Sequence, residues 1–387
     1  MNSLLFESAV QRIDAEAATI HEAFGGQRRV SSRIPRRDPR WEAKLLEAER
    51  FIDEIVRGRR PISHFREAMS TSDFPLLFAD SLDRQLYGAY EAIIPTWMNY
   101  ARAATVNSFL PVKRFATSGV RGLLKKVGEL AEHERRSQTE AEYSYAVAKY
   151  EAGFAISWEA MINDDLGAFL RLPQDLADSA RDSEEEFVTR LFCGPTGPLT
   201  TVYKPENDNY LHASDEAPLT RDNLQAAITK LMKRVDERGN PIPIRAVELV
   251  VGPGLALEAE EILNTSQYRV VEPNGNVRII TGNGVSANLR LSVNYWIPAV
   301  ATQANADTSW WLFANPNGPR PAMEFGRLRG HEAPALYEKI PDMRRVGGGE
   351  EPYSFDTEAS EKKIRHVFGG AFIDPKMTVG STGVPAP

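Results

Sequence analysis

FAISWEAMINDDLGAFLRLPQDLADSARDSEEEFVTRLF, from Phe154 to Phe192, decides the reading of this chain, because in it a strand pattern runs directly into a long helix pattern. Phe154, Ile156 and Trp158 alternate with small or polar residues, as the side chains of a half-buried strand do. After Asp165 the period changes. Leu166, Phe169, Leu170, Pro173, Leu176, Ala177, Ala180, Phe187 and Leu191 fall mostly on one side at helical spacing, so the stretch is a long amphipathic helix. Asn163, Asp164 and Asp165 precede it; their oxygens suit the orphan N–H groups of a first turn and their charge suits the positive end of the dipole. Pro173 lacks a donor and crowds the preceding turn, so the expectation there is a kink or the start of a second helix. CGPTGP, from Cys193, ends the helix. Glu184 to Glu186 read as a solvated helix face, not as a catalytic carboxylate pair.

Working outward toward the N-terminus, GELAEHE and EYSYAVAKYEAGFAIS read as two strands after Gly122. The charged HERRSQTEAE between them holds no tight-turn dipeptide, which predicts a long projecting hairpin with a mobile tip. Before that, Leu82, Leu86, Tyr90 and Ile93 form a helical stripe that Pro95 interrupts. The first sixty residues differ in composition. Leu4, Leu5, Ala9, Ile13, Ala17 and Ile20 mark one amphipathic helix, and Leu45, Leu46, Phe51, Ile52, Ile55 and Val56 mark another. Between them Arg28, Arg29, Arg33, Arg36, Arg37 and Arg40 lie in a stretch that Pro35 and Pro39 keep from being helical. This extended basic arm is read either as a solvated linker meeting acidic patches of a neighbouring chain or as a contact for nucleic-acid phosphates.

Toward the C-terminus, Thr220 caps a helix bearing Leu224, Ala227, Ile228, Leu231 and Val235. AVELVVG then reads as a buried strand and PGLALEAEEILN as a helix, an α/β arrangement. VRIIT, LRLSVNYW, TSWWLFA, PAMEFGRL and KKIRHVFGGAFID supply further strand patterns. The expected class is α+β, with one lobe interrupting another.

Bulk properties exclude several functions. The 387 residues are 42% hydrophobic, ample for a packed core, and carry a net charge of −7, which does not suit a dedicated nucleic-acid binder. The lone Cys193 excludes an internal disulfide framework and suits a reducing compartment. The N-terminal stretch does not read as a signal peptide and no apolar run is long enough to cross a bilayer, so a soluble protein is expected, without a membrane partner.

Catalytic chemistry is weakly supported. Gly252 and Gly254 follow a strand and precede a helix, but Pro253 removes a donor, Leu257 stands where a third glycine would, and no Lys-Ser/Thr pair follows, which favours a structural turn over a phosphate loop. His21, His64, His133, His212, His331 and His366 lack ligand spacing. Cys193 reads as a small buried hydrophobe. The expectation is no enzyme, no cofactor and no metal.

The Phe154–Phe192 stretch, with Asn163, Asp164, Asp165 and Leu166 as its most specific part, resembles the end of the extended loop and the spine helix of tailed-phage major capsid proteins, particularly the Mu-type head subunit. TSDFPLLFADSLDRQLYGAYE, LTRDNLQAAITKLMKRVDERGNPIPIRAVELVVGPGLALEAEEIL, SWWLFANPNGPRPAMEFGRLRGHEAPAL and KKIRHVFGGAFIDP resemble further blocks in the same order. The resemblance covers roughly Ser70 to Ser381.

It implies the Hong Kong ninety-seven capsid fold: residues 1–69 a helical arm or scaffold-like extension, 70–121 the N-arm and start of the peripheral domain, 122–157 the extended loop, 158–217 the peripheral domain with its spine, 218–319 the axial domain and 320–387 the rest of the peripheral domain. It implies self-assembly into hexamers and pentamers of an icosahedral shell, which forms in the host cytoplasm and becomes the virion capsid. The implied partners are portal, scaffold and decoration proteins and, through weak contacts, packaged double-stranded DNA. Some members link a loop lysine to a neighbour's asparagine, for which Lys125, Lys126 and Lys149 are available. The alternative is an encapsulin-like nanocompartment enclosing cargo enzymes; a soluble α/β enzyme using the Gly252 loop stands third. On the helix itself, Leu176 and Phe187 are expected to pack inward, so that a buried aspartate at either position would abolish assembly.

Overall fold

The computed structural model describes residues 74–118, 139–157, 166–211, 217–235, 241–265, 267–271, 277–281, 289–318, 320–339 and 354–384, with a few isolated positions besides. The chain divides into Met1–Lys44 and Leu45–Pro387, and the described residues belong to the second unit. The two helices expected before Pro61, all but scattered positions of the second, and the arginine-rich stretch lie outside them, as does the GELAEHE strand.

Helix α1, Phe74–Ala92, buries Leu82, Leu86 and Tyr90, three residues at a spacing of four that fall on one face. It stops before Pro95, after which Thr96–Asn99 makes one tight turn. Helix α2, Leu166–Phe192, is 27 residues long, about 40 Å at the α-helical rise. Asn163, Asp164 and Asp165, which precede Leu166 in sequence, fall outside the described residues. The helix is continuous through the buried Pro173, so no second helix starts there.

Two main sheets form the body. In the first, β17 (Ala359–Phe372) is the central strand. β13 (Met323–Leu328) and β14 (Ala335–Glu338) pair with successive parts of it. Because Ile364, Arg365 and Phe368 have partners in β4 (Ala148–Ser157) as well, β4 occupies the opposite side of β17 alone. β1 (Arg102–Val106) adds in parallel to β13. The second sheet runs β11 (Arg290–Val293), β8 (Ala246–Val251), β12 (Trp310–Ala314), β18 (Thr378–Ser381) and β7 (Tyr210–Leu211). Its centre reads as an unbroken apolar run because it is covered on both faces: Trp310, Trp311, Leu312 and Phe313 are all fully buried. Helices α3 (Arg221–Met232) and α4 (Ala256–Asn264) flank this lobe, with the Thr220 hydroxyl accepting from Asn223 N at 3.2 Å as an N-cap. Smaller antiparallel pairs are β2 (Val112–Ser118) with β3 (Thr139–Tyr145), β5 (Cys193–Gly194) with β6 (Gly197–Pro198), β9 (Gln267–Val271) with β10 (Val277–Thr281), and β15 (Met343–Arg344) with β16 (Glu350–Glu351). One apolar core joins the lobes, with Phe192 edge-on to both Trp311 and Phe313, and Phe325 packed beside Phe368.

This arrangement corrects the expected hairpin. EYSYAVAKYEAGFAIS is two strands, interrupted at Ala146–Val147. Its first part, β3, pairs with Val112–Ser118, upstream of Gly122, and its second part, β4, belongs to the first sheet. The backbone of Ala146 and Val147 passes so close to Gly369 that a Cβ there would lie 2.4 Å from the Ala146 carbonyl oxygen, so glycine lets the interruption pack directly on β17. None of the helices among the described residues is long and apolar enough to cross a membrane.

Candidate functional site

The long helix is held to the body by a buried carboxylate. Glu184 lies between Ala180 and Val188 on the helix's inward stripe and is fully shielded from solvent. Arg181 Nη1 stands 3.1 Å from its Oε2, and Arg327 Nη2 lies 3.2 and 3.1 Å from its two oxygens. Trp97 Nε1 donates to Oε2 at 3.1 Å, His366 Nε2 is 2.8 Å from Oε1, and the Tyr90 hydroxyl donates to Oε1. The partners come from α1, the tight turn after it, α2 itself, β13 and β17, so one side chain joins four neighbouring elements to the helix. Arg181 reaches further, donating twice to the Tyr90 carbonyl at 3.0 and 2.7 Å with its guanidinium 3.5 Å from the Tyr90 ring centre.

The protonation states follow from this geometry. Burial alone would raise the Glu184 carboxyl, but the His366 hydrogen bond, the charge of Arg327 and, in acid, that of His366, and the Tyr90 hydroxyl together outweigh it and hold the group down at about 2. Burial pushes His366 below the usual imidazole range; Glu184 opposes that, while Arg327 and Arg181 reinforce it. His366 Nδ1 is buried without a hydrogen-bond partner, so a second ring proton would be stranded there. The ring is therefore neutral, with Nε2–H donating to Glu184.

Glu185 performs a different task. Pro95 has no side-chain donor or acceptor to cap the Thr96–Asn99 turn, and Glu185 supplies the missing acceptor from α2. Its carboxylate receives Thr96 N, Thr96 Oγ1 at 2.9 Å and Trp97 N at 3.4 Å. Only Glu186 fits the solvated reading, paired at 2.6 Å with Arg190 one turn on. The expectation of a solvated Glu184–Glu186 face is thus corrected. The signal was present in the helical period: Ala177, Ala180, Arg181, Glu184 and Val188 fall on one buried stripe, and a carboxylate within such a stripe needs partners.

A second polar anchor fixes the root of the β2–β3 ribbon. Arg114 Nε and the Tyr145 hydroxyl both donate to Oε1 of the buried Glu324, each at 2.6 Å. Tyr145 lies against the backbone of Gly326, where a Cβ would stand 2.7 Å from its hydroxyl oxygen. Gly326 thus makes room for the ring that joins ribbon to sheet.

Among the expected positions, Phe187 packs edge-on against Phe325, Phe368 and Tyr150. Leu176 is half-buried beside the cluster of Leu86, Tyr90, Ala177, Ala180 and Ile364. Arg28, Arg29, Arg33, Arg36, Arg37 and Arg40, and also Lys125 and Lys126, lie outside the described residues, whereas Lys149 is exposed on β4. Cys193 is buried and its thiol is pushed up to about 12 by that burial, which removes it as a nucleophile at neutral pH. At the Gly252 loop, a Cβ on Gly254 would stand 2.8 Å from the Asp307 side chain, so this glycine serves close packing. Among the described residues no group of His, Cys, Asp and Glu is placed to hold a metal ion.

Comparison with known proteins gives one family and several structures. The family model described as phage capsid protein matches residues 140–380, which contain both main anchors of the long helix, Arg327 and His366. No curated protein matches the chain. Among solved structures, one from Gordonia phage Cozz aligns at 14% identity and a TM-score of 0.42, covering 73% of this chain and 84% of that one. A phage-related protein from Bordetella bronchiseptica aligns at 11% identity and a TM-score of 0.47, covering 79% and 98%. An encapsulin complex from Synechococcus elongatus aligns at 9% identity and a TM-score of 0.43, covering 76% and 90%.

Proposed function

The chain belongs to the phage capsid protein family, and on that premise we propose that it is the major head subunit of a tailed phage, self-assembling into hexamers and pentamers of an icosahedral shell around double-stranded DNA. The family match carries the reading, since it spans the long helix and every strand of the two main sheets except β1 and the last residue of β18. The architecture supports it physically. A shell subunit needs a rigid body and protruding segments that add interface to neighbours, because closed symmetry repeats each contact. The Glu184 cluster supplies rigidity by tying α2 to four surrounding elements. The β2–β3 ribbon belongs to neither main sheet, and a two-stranded ribbon is marginal in water by itself, which suits a segment that rests on a neighbour.

In this reading α2 is the spine and the first sheet is the core of the peripheral domain. The second sheet with α3 and α4 is the axial domain, to which β18 returns from the C-terminal part. The ribbon of Val112–Ser118 with Thr139–Tyr145 belongs to the extended loop, for which the sequence predicts residues 122–157. Portal, scaffold and decoration proteins are its expected partners in the virion. A chain of net charge −7 contacts packaged DNA weakly, which suits a container that must later release its genome. The arginines from Arg28 to Arg40 are the local exception, serving neighbouring acidic patches or phosphates.

Electron microscopy of the purified recombinant chain, with identification of what co-purifies, tests the reading. Closed shells of five- and six-fold capsomers are expected. Uniform dimers would sink it, and shells that reproducibly hold one host enzyme would move the assignment to a nanocompartment.

A further inference from the structure

The first sheet ends on one side in a strand, β4, whose outer edge pairs with no other strand among the described residues. β4 pairs with β17 through all ten of its residues in unbroken register, and its other edge has no partner strand among the described residues. Ala148, Lys149, Tyr150, Glu151, Ala152, Gly153 and Ala155 are all exposed. A long edge of this kind is normally blunted by proline, a bulge, short length or several charges. AKYEAGFAIS has two charged residues, no proline and no bulge. Its inward face is also incomplete. Tyr150, Ala152 and Phe154 alternate onto the side of β17 that carries Lys362, Ile364 and His366, all buried, yet Tyr150 remains 39% exposed although its ring stacks on Phe368 at 4.0 Å. Both the backbone edge and the apolar layer stop short.

The sequence of the edge identifies what completes it. Laid antiparallel on itself about Ala152, β4 places Tyr150 opposite Phe154, Ala148 opposite Ile156 and Ala152 opposite its own copy. Lys149 then meets Ala155 and Glu151 meets Gly153, so no like charges stand directly opposite. Because the paired positions differ by an even number, apolar residues meet apolar residues on the inward face, as a two-fold axis perpendicular to the sheet requires. Aromatic pairs across such a ladder are the favourable units of strand pairing.

We propose that β4 pairs with β4 of a second copy of this chain, antiparallel about a two-fold axis at Ala152, joining two first sheets into one. The inference rests on the shell reading and adds to it a specific contact between subunits. Ala152 would then face its own copy at a Cα separation of about 4.5–5.5 Å, within the range that a disulfide spans. Gly153 would not, since it faces Glu151 on the other side of the sheet.

The test is Ala152→Cys and, separately, Gly153→Cys, each assembled into particles from the purified full chain and exposed to a mild oxidant. The expected result is a reducible dimer as the main species on a non-reducing gel for A152C and monomer for G153C, with Cys193 buried in both. Hydrogen exchange of the wild-type chain provides a second readout that needs no substitution: about half of the β4 amides, those pointing away from β17, should slow on assembly. Particles without the A152C dimer would overturn the proposal and leave the shell reading intact. Equal cross-linking at both positions would also overturn it, and so would slowed exchange without the A152C dimer, since another segment would then cover the edge. If no particles form, the shell reading fails and this contact fails with it.

Discussion

Arg327 on β13 and Glu184 on α2, 143 residues apart in sequence, meet with one guanidinium nitrogen within 3.2 Å of both carboxylate oxygens, at a point where Glu184 has no exposure to solvent. A buried pair of this sort adds little stability relative to a well-packed apolar substitute, but removing one member leaves the other charge stranded. Arg181 is the second cation in the same cluster, so loss of Glu184 strands two.

Glu184→Leu should therefore destabilise the subunit by about 3–5 kcal/mol, measured by denaturant unfolding of unassembled chains. Arg327→Met alone should cost less, because Arg181 and His366 continue to face the carboxylate. The two changes together should cost less than the sum of the singles, since they share one interaction. Strict additivity would show that the pair contributes no coupling to the fold.

Acid should act through the same cluster, and in one direction. Glu184 sits at about 2 when folded against an ordinary value of 4.5, so its contribution is present above the ordinary value and is lost as pH falls through the folded one. That difference corresponds to stability on the order of 3 kcal/mol. His366 is also depressed when folded, so the unfolded chain takes up its proton first as pH drops below the ordinary value of 6.5. Both groups thus lower stability on acidification, His366 in the milder range and Glu184 in the stronger. His366→Gln, with its amide donating to Glu184, should flatten the pH dependence of unfolding just below 6.5 while leaving the drop between 4.5 and 2. An unchanged profile in the milder range would show that His366 is not buried as a neutral ring.

The difference between Glu184 and Phe187 shows what local sequence pattern could and could not reveal. Phe187 and Leu176 were legible because apolar residues at helical spacing have one physical use. Glu184 was misread because three consecutive glutamates resemble a solvated face, and the donors that bury one of them arrive from residues 90, 97, 327 and 366. Strands β8, β12, β13 and β17 were legible from composition, whereas the partner of β3 was not. Val112–Ser118 and GELAEHE are both plausible strands locally, and the choice depends on Glu324 and Gly326 of β13, which hold Arg114 and Tyr145. The class α+β follows from pattern; which strand meets which follows from contacts far apart in sequence.

That distant contact at the ribbon's root gives a prediction that separates folding from assembly. The Arg114 side chain is 37% exposed, so the screened pair it makes with Glu324 should contribute about 1 kcal/mol or less to subunit stability. Arg114 and Tyr145 are nevertheless the two side chains that tie the ribbon to Glu324. Arg114→Ala should leave the unfolding transition nearly unchanged and reduce the yield of closed particles counted by electron microscopy. A normal yield would mean that Tyr145 alone orients the ribbon.

Phe187 provides the corresponding test for the long helix. Its ring centre lies 6.0 Å from that of Phe325 and 5.4 Å from that of Phe368, so it joins α2 to β13 and β17 on the apolar side, one turn from where Glu184 joins them on the polar side. Phe187→Ala leaves a void among aromatic rings that cannot collapse together and should cost about 3 kcal/mol. Phe187→Asp sets an unpaired charge against those rings at a half-buried position and should weaken the unfolding transition more than the alanine does and abolish particles. Leu176→Asp is the graded comparison. Leu176 is only half-buried, at the edge of the α1–α2 cluster, so its aspartate retains access to water. The subunit should remain folded but weakened, as read by thermal melting, while particles are lost because that face of α2 no longer packs as the shell requires. Normal particles from either aspartate variant would refute the placement of α2 as the packed spine.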